Sequence, residues 1–226
     1  MDLITILAEI FMINLVLSGD NAVLIAMASR NLPARQQKLA IFWGSAGAVA
    51  FRILLTVVIV YLLRIPFLQA VGGLLLIYIA AKLLNNKDCR EECKAAGSLL
   101  EAIKTVIIAD LIMSLDNTLA IAAVSRGHWI LIVIGLAISV PIIIFCSRLI
   151  IYLMKKFPII IYIGAGILAW TAGEMLVGDP KVSLWLEGRL SSLAHLGIPI
   201  LITLLVIVTG LLANLRNNKK LKEKKA

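Results

Sequence analysis

Residues 14–30 read NLVLSGDNAVLIAMASR and residues 110–126 read DLIMSLDNTLAIAAVSR. At a constant offset of 96 they agree at eight of seventeen positions: Leu15/Leu111, Ser18/Ser114, Asp20/Asp116, Asn21/Asn117, Ile25/Ile121, Ala26/Ala122, Ser29/Ser125 and Arg30/Arg126. Apolar helices resemble one another through Leu, Ile, Val and Ala. Here Ser, Asp, Asn and Arg recur as well, and these are the costly residues in an apolar run. A carboxylate at the centre of a membrane-spanning helix costs at least ~2.5 kcal/mol, so it marks a functional site unless shown otherwise. The same polar pattern in two such runs marks a duplicated site.

The rest of the chain agrees with that setting. Its 226 residues are 61% hydrophobic and 15% charged, with a mean hydropathy of +1.01. That leaves too little charged surface for a water-soluble domain and indicates an all-α polytopic membrane protein. The formal charge of +9 is not the footprint of a nucleic-acid binder. Much of it lies in Arg216, Lys219, Lys220, Lys222, Lys224 and Lys225, opposed only by Glu223. Such a cluster reads as a juxtamembrane basic tail held near anionic lipid. The opening MDLITILAEIF has no basic segment and enters a long apolar run, so a cleaved signal peptide is not expected.

Windows of ~20 apolar residues predict seven spans, at 3–29, 39–62, 66–84, 99–125, 129–154, 158–177 and 195–215. Basic residues alternate between the connections. Arg30, Arg35 and Lys38 follow the first span, Lys82, Lys87, Arg90 and Lys94 the third, and Lys155 and Lys156 the fifth. Only Arg64 follows the second span and only Arg126 the fourth, while Lys181 and Arg189 are accompanied by Asp179 and Glu187. The positive-inside rule then places the N-terminus outside and the C-terminus in the cytoplasm.

The repeat extends beyond the motif. Arg52 matches Arg148 at the offset of 96; after a four-residue deletion Pro66 matches Pro158, Gly72 matches Gly164, and Tyr78 meets Trp170. The expected organisation is a three-helix repeat over 1–84, a cytosolic charged loop over 85–98 and a second repeat over 99–177. An outer loop and seventh helix over 178–215 and a basic cytosolic tail over 216–226 complete it. A unit with an odd number of spans is inserted upside down when repeated. Inverted repeats with a polar site at their interface are common among secondary transporters.

At ~100° per residue, Asn14, Ser18 and Asn21 share one helical stripe, and Asp110, Ser114 and Asn117 share the equivalent one. Asp20 and Asp116 project beside them, and Glu9 lies three turns before Asp20 on nearly the same face. So wide a polar sector belongs at the centre of a bundle. Gly19 permits local unwinding in the first copy, where the second has Leu115. Carboxylate, amide and hydroxyl oxygens without His or Cys suit Mg²⁺, Ca²⁺ or Mn²⁺ better than zinc or copper. The candidate metal ligands are therefore Asp20, Asn21, Asp116, Asn117, Asp110, Ser18 and Ser114, with Asn14, Glu9 and Glu174 as secondary candidates.

Arg52 and Arg148 complete a charge network, either as structural locks or as functional counter-ions. Folding the first two spans about the turn near 31–38 brings Asp20 and Arg52 to within ~5 Å in depth, and the second copy has the same spacing. Cys89 and Cys93 form a C-x₃-C pair in the charged loop, which lacks the further ligands of a zinc site. Cys146, His128 and His195 read as packing or interface residues.

With SGDN at 18–21, SLDN at 114–117, the second-span pattern Gly44, Gly47, Phe51, Arg52 and the seven-span layout, the chain resembles the TerC family of integral membrane proteins. That family, named for an association with tellurium resistance, is similar to broader cation-exchanger-like proteins with paired acidic motifs. The resemblance implies export of manganese across the bacterial plasma membrane, with metal supply to exported proteins as a related role. Protein-secretion machinery and exported metalloproteins are the partners it suggests beside the lipid bilayer. The oxygen donors point to a hard divalent cation as transported substrate; manganese itself comes only from the resemblance. A membrane accessory protein that holds metal for secreted clients and a small-molecule (amino-acid) exporter are the alternatives. Nothing in the sequence suggests an enzyme, a tightly bound cofactor or a nucleotide-binding motif, so any pumping must draw on an ion gradient.

Overall fold

The computed structural model describes residues 9–12, 18–62, 65–85, 95–125, 129–187 and 193–223. Within these, residues 57, 59–61, 95–98, 116, 117, 119–125, 129, 186, 187, 193, 194 and 215–223 are described by their backbone only. All regular structure among the described residues is helical: α1 Gly19–Ser29, α2 Ala34–Leu62, α3 Leu68–Asn85, α4 Ala95–Ser125, α5 Trp129–Lys156, α6 Ile159–Gly178, α7 Pro180–Glu187 and α8 Leu193–Glu223. Residues 9–12 are also helical, and Ser18 lies in a turn directly before α1. Five of these helices contain stretches long and apolar enough to cross a membrane, namely Ala34–Thr56, Leu68–Asn85, Ile130–Lys156, Ile159–Gly178 and His195–Asn214.

The directions of the helices follow from their contacts. One end of the bundle gathers the last residues of α1 and α3 and the first turns of α4: Arg30 Nη2 donates to the Leu83 carbonyl at 3.0 Å, and Lys82 Nζ pairs with Glu101 Oε1 at 2.6 Å. There too, Asn214 Nδ2 of α8 donates to the Tyr162 hydroxyl of α6 at 3.3 Å. At the other end Asp179 Oδ2 accepts from the backbone N–H of Ala70 at 3.2 Å. So α1 ends where α4 begins, and the two motif helices run in opposite directions.

Between helices in a bilayer there is little hydrophobic driving force, so close packing of small residues carries the association. Helix α2 lies along α4 in the same direction: a Cβ at Gly44 would stand 3.1 Å from Val106 Cγ1, and one at Gly47 2.8 Å from Ile107 Cδ1. Helices α3 and α6 meet at Gly73, where an added Cβ would lie 2.7 Å from the Ala172 carbonyl oxygen. Helix α6 meets α8 at Gly173, 2.5 Å by the same measure from Pro199 Cα. The main core runs through Leu24, Leu76, Val106, Met113, Ile151 and Leu168, and a smaller one joins Ile10 to Val49, Ile132 and Leu136. Large apolar side chains such as Leu54, Leu74, Phe145 and Leu204 cover the outside, as a lipid-facing surface requires.

Two elements extend the sequence expectation. The connection after residue 178 contains α7, which begins at Pro180 behind an Asp179 cap: Asp179 Oδ1 accepts from the N–H of Lys181 at 2.9 Å. Helix α8 continues from its apolar stretch through the basic tail to Glu223, because Leu, Lys and Arg keep helical propensity where hydropathy has ended.

Candidate functional site

The site is built first by the small stripe on α2. Gly44, Ala48 and Arg52 recur every four residues on one face, and the glycines let that face press against α4. Arg52, the largest fully buried side chain among the described residues, is thereby inserted between helices with 2% relative exposure. On α4, Asp110 and Ser114 lie one turn apart on the facing stripe, both buried. Arg52 Nη2 donates to Asp110 Oδ1 at 2.6 Å and Arg52 Nε donates to Ser114 Oγ at 2.8 Å. Ser114 Oγ in turn donates to Asp110 Oδ2 at 3.2 Å, closing a ring of three groups. From the same helix as Arg52, Thr56 Oγ1 donates to the Arg52 carbonyl at 2.8 Å.

A buried ion pair survives in an apolar setting only when its remaining hydrogen-bonding capacity is also used. Here the guanidinium fork spans a carboxylate and a hydroxyl, a charge-assisted arrangement with fixed geometry. The result is a cation already seated on two oxygen-bearing side chains of the second motif.

The first motif is placed differently. Helix α1 begins at Gly19, so Asp20 sits in its first turn, where the helix dipole favours a carboxylate. Asp20 is half-buried, and its Oδ1 accepts from the N–H of Asn21 at 2.8 Å. Both Arg52 and Asp110 act on it electrostatically. Ser18 and Asn21 are buried beside it. From the second half of the chain, Ser147 Oγ donates to the Ala22 carbonyl at 3.2 Å and ties α5 to α1.

The structure therefore brings together Asp20, Asn21, Ser18, Arg52, Asp110 and Ser114. It also revises the expected pairing. Arg52 is within electrostatic reach of Asp20, yet its described ion pair is with Asp110 of the second copy. Counting residues along a helical hairpin gives depth in the bilayer; the face on which Arg52 emerges is set by Gly44, Gly47 and Ala48, and that face meets α4. Arg148, the repeat partner of Arg52, is exposed on α5. Glu174 is exposed on α6, and Glu9 is half-buried in the helical residues 9–12. Asn14, His128, Cys89 and Cys93 lie outside the described residues, as do the side chains of Asp116 and Asn117. Among the described residues no three His, Cys, Asp or Glu side chains converge.

Sequence reading passed over two anchors. Ser147 sits one residue from the arginine that drew attention, and nothing in its own context distinguishes it. Asp179 had a usable signal, since Asp followed by Pro is the start pattern of a helix.

Comparison with known proteins places the chain in a lineage. The chain is 49% identical over 201 residues to the uncharacterized membrane protein YjbE of Bacillus subtilis, covering 88% of this chain and 90% of that one. It is 28% identical over 164 residues to the uncharacterized membrane protein YkoY of Bacillus subtilis, covering 63% and 50%. The UPF0053 inner membrane protein YgdQ of Escherichia coli strain K12 is 26% identical over 170 residues, covering 67% and 71%. No solved structure matches the chain. The family model described as "Integral membrane protein TerC family" matches residues 1–220, and with those apolar helices the chain belongs to the TerC family of multi-pass integral membrane proteins.

Proposed function

We propose that this protein is a secondary transporter exporting a hard divalent metal cation, with Mn²⁺ as the cargo, through a central site formed by the two acidic motifs. The observation that carries the reading is the constellation of buried Asp110, Ser114 and Arg52 with half-buried Asp20, drawn from both halves of the chain inside an apolar bundle. Carboxylates and hydroxyls at bilayer depth bind a dehydrated hard cation. Choosing manganese over magnesium or calcium rests on the family resemblance.

An inverted-repeat architecture of seven spans fits the packing. Helix α2 packs on α4 and α5 packs on α1; α3 packs on α4 and α6 packs on α1; α3 also packs on α6. Each of these contacts has its reciprocal when the units α1–α3 and α4–α6 are exchanged. The matched glycines repeat the exchange: Gly72 faces Ile112 of α4, and Gly164 faces Val23 and Met27 of α1. Arg30, Arg35, Lys38, Lys82, Lys155 and Lys156 belong to one end of the bundle, which supports a cytoplasmic assignment for that end and an external N-terminus. The plasma-membrane setting rests on the family resemblance.

Purified protein reconstituted in liposomes provides the test. The reading requires Mn²⁺ movement that depends on an imposed ion gradient. Tight Mn²⁺ binding with no flux under any gradient would instead mark a protein that holds metal for others.

A further inference from the structure

Arg52 bears on which cations the site accepts, an inference that rests on the cation-transport reading above and narrows it. Two of the oxygen-bearing side chains expected to hold cargo, Asp110 and Ser114, are engaged by a cation that belongs to the protein. Arg52 is nearly inaccessible, and its fork is matched to both groups at once. Any cargo ion that uses the Asp110 carboxylate has to displace that guanidinium.

We propose that Arg52 is a tethered competitor that sets a charge threshold for cargo, admitting divalent cations and excluding Na⁺ and K⁺. A monovalent ion offers Asp110 no more charge than the guanidinium it must replace, and it gives up the two-point geometry of the fork. A divalent ion doubles the Coulomb attraction to the same carboxylate at a given distance. The tether also gives the site a partner for Asp110 between cargo ions, so the carboxylate is never left buried and unpaired. Selectivity by charge thus resides in Arg52, while the oxygen ligands alone would accept any hard cation. Arg148 is exposed on α5, and its repeat counterpart of Asp110 is Asn14, so the first copy lacks this arrangement of charges.

The test is equilibrium Mn²⁺ binding to the purified full-length protein, with Na⁺ replacing choline at constant ionic strength. The parent should bind Mn²⁺ with an affinity unchanged by the exchange. In Arg52→Gln, Na⁺ should weaken Mn²⁺ binding by about tenfold or more, a shift well outside measurement error. Arg52→Lys keeps the charge but cannot form the fork. It should retain Na⁺ exclusion while binding Mn²⁺ about threefold or more tighter, because the tether is weaker. Arg52→Gln binding that ignores Na⁺ overturns the proposal. Should Arg52→Gln fail to fold, an Arg52→Lys affinity equal to or below the parent's overturns it as well, since a purely structural arginine predicts that result. A parent that binds no divalent cation removes the transport reading itself, a separate outcome.

Discussion

The two copies of the motif carry the same polar residues in different mechanical settings. At SGDN, Ser18 is in a turn, α1 starts at Gly19, and Asp20 occupies a first turn with its carboxylate on a backbone N–H. At SLDN the chain is in the middle of α4, which runs unbroken from Ala95 to Ser125 with Leu115 buried in the core. The second helix is further held by Arg52 through Asp110, whereas the first has Asn14 at the equivalent position. The two motifs thus keep the same polar residues while their local backbone settings differ. One acid stands at the start of a helix; the other stands inside a continuous helix tied to its neighbour by Arg52. On the transport reading proposed above, the helix start is the half of the site that moves, as in broken-helix transporters.

Exchanging the differing residues tests this contrast. The largest effect is expected for Leu115→Gly, which copies the first motif into the second. It removes a buried side chain, at about 2–5 kcal/mol by large-to-small precedents, and adds a helix-interior glycine at about 1 kcal/mol. Thermal unfolding in mild detergent should show a strongly destabilised protein. A variant as stable as the parent would mean that α4 does not need to be a rod.

Asp110→Asn gives the second copy the residue of the first. It leaves Arg52 buried without its carboxylate, a change that typically costs about 3–5 kcal/mol. The double variant Asp110→Asn with Arg52→Gln should recover much of that loss, and a double-mutant cycle measures the coupling. Additive losses would show that the pair is not the lock.

Gly72→Ala and Gly164→Ala probe where the copies should behave alike. Each added methyl would lie 2.9 Å from a side chain of the opposite motif helix, Ile112 in one case and Val23 in the other. Both should cost about 1–3 kcal/mol through overpacking. A large difference between them would break the reciprocal packing on which the repeat rests.

Gly19→Ala should have the smallest effect on stability. A Cβ there meets nothing within 4 Å, and alanine is favoured over glycine in a helix by about 0.5–1 kcal/mol. The protein should be as stable as the parent or slightly more so, yet transport should slow if the joint at Gly19 moves. Unchanged flux would place the moving part elsewhere.

How far all this could be read from residues alone depends on what kind of information a residue carries. Helix positions were legible because length and hydropathy set them: the expected spans at 39–62, 66–84, 129–154 and 158–177 lie within a few residues of α2, α3, α5 and α6. The identities of the site residues were legible because a buried Asp or Arg is expensive and stands out. Which Asp faces which Arg was not, since that depends on the rotation of each helix about its own axis. The rotation of α2 is fixed by Gly44 against Val106 and Gly47 against Ile107, a shape match between residues far apart in sequence. The exposure of Arg148 was hidden for the same reason, and α7 for a simpler one: eight residues are too short to produce a hydropathy signal.

The most direct test of the central claim is Mn²⁺ flux in proteoliposomes carrying Asp20→Asn, with Asp116→Asn measured in parallel. Asparagine keeps the shape of the side chain and removes the charge that a dehydrated divalent ion requires. The account predicts that each variant inserts and remains folded, and that gradient-driven Mn²⁺ movement falls to the rate of empty liposomes. Transport by either variant at the parental rate would contradict it, because a site shared between the two motifs cannot work with one of its carboxylates dispensable.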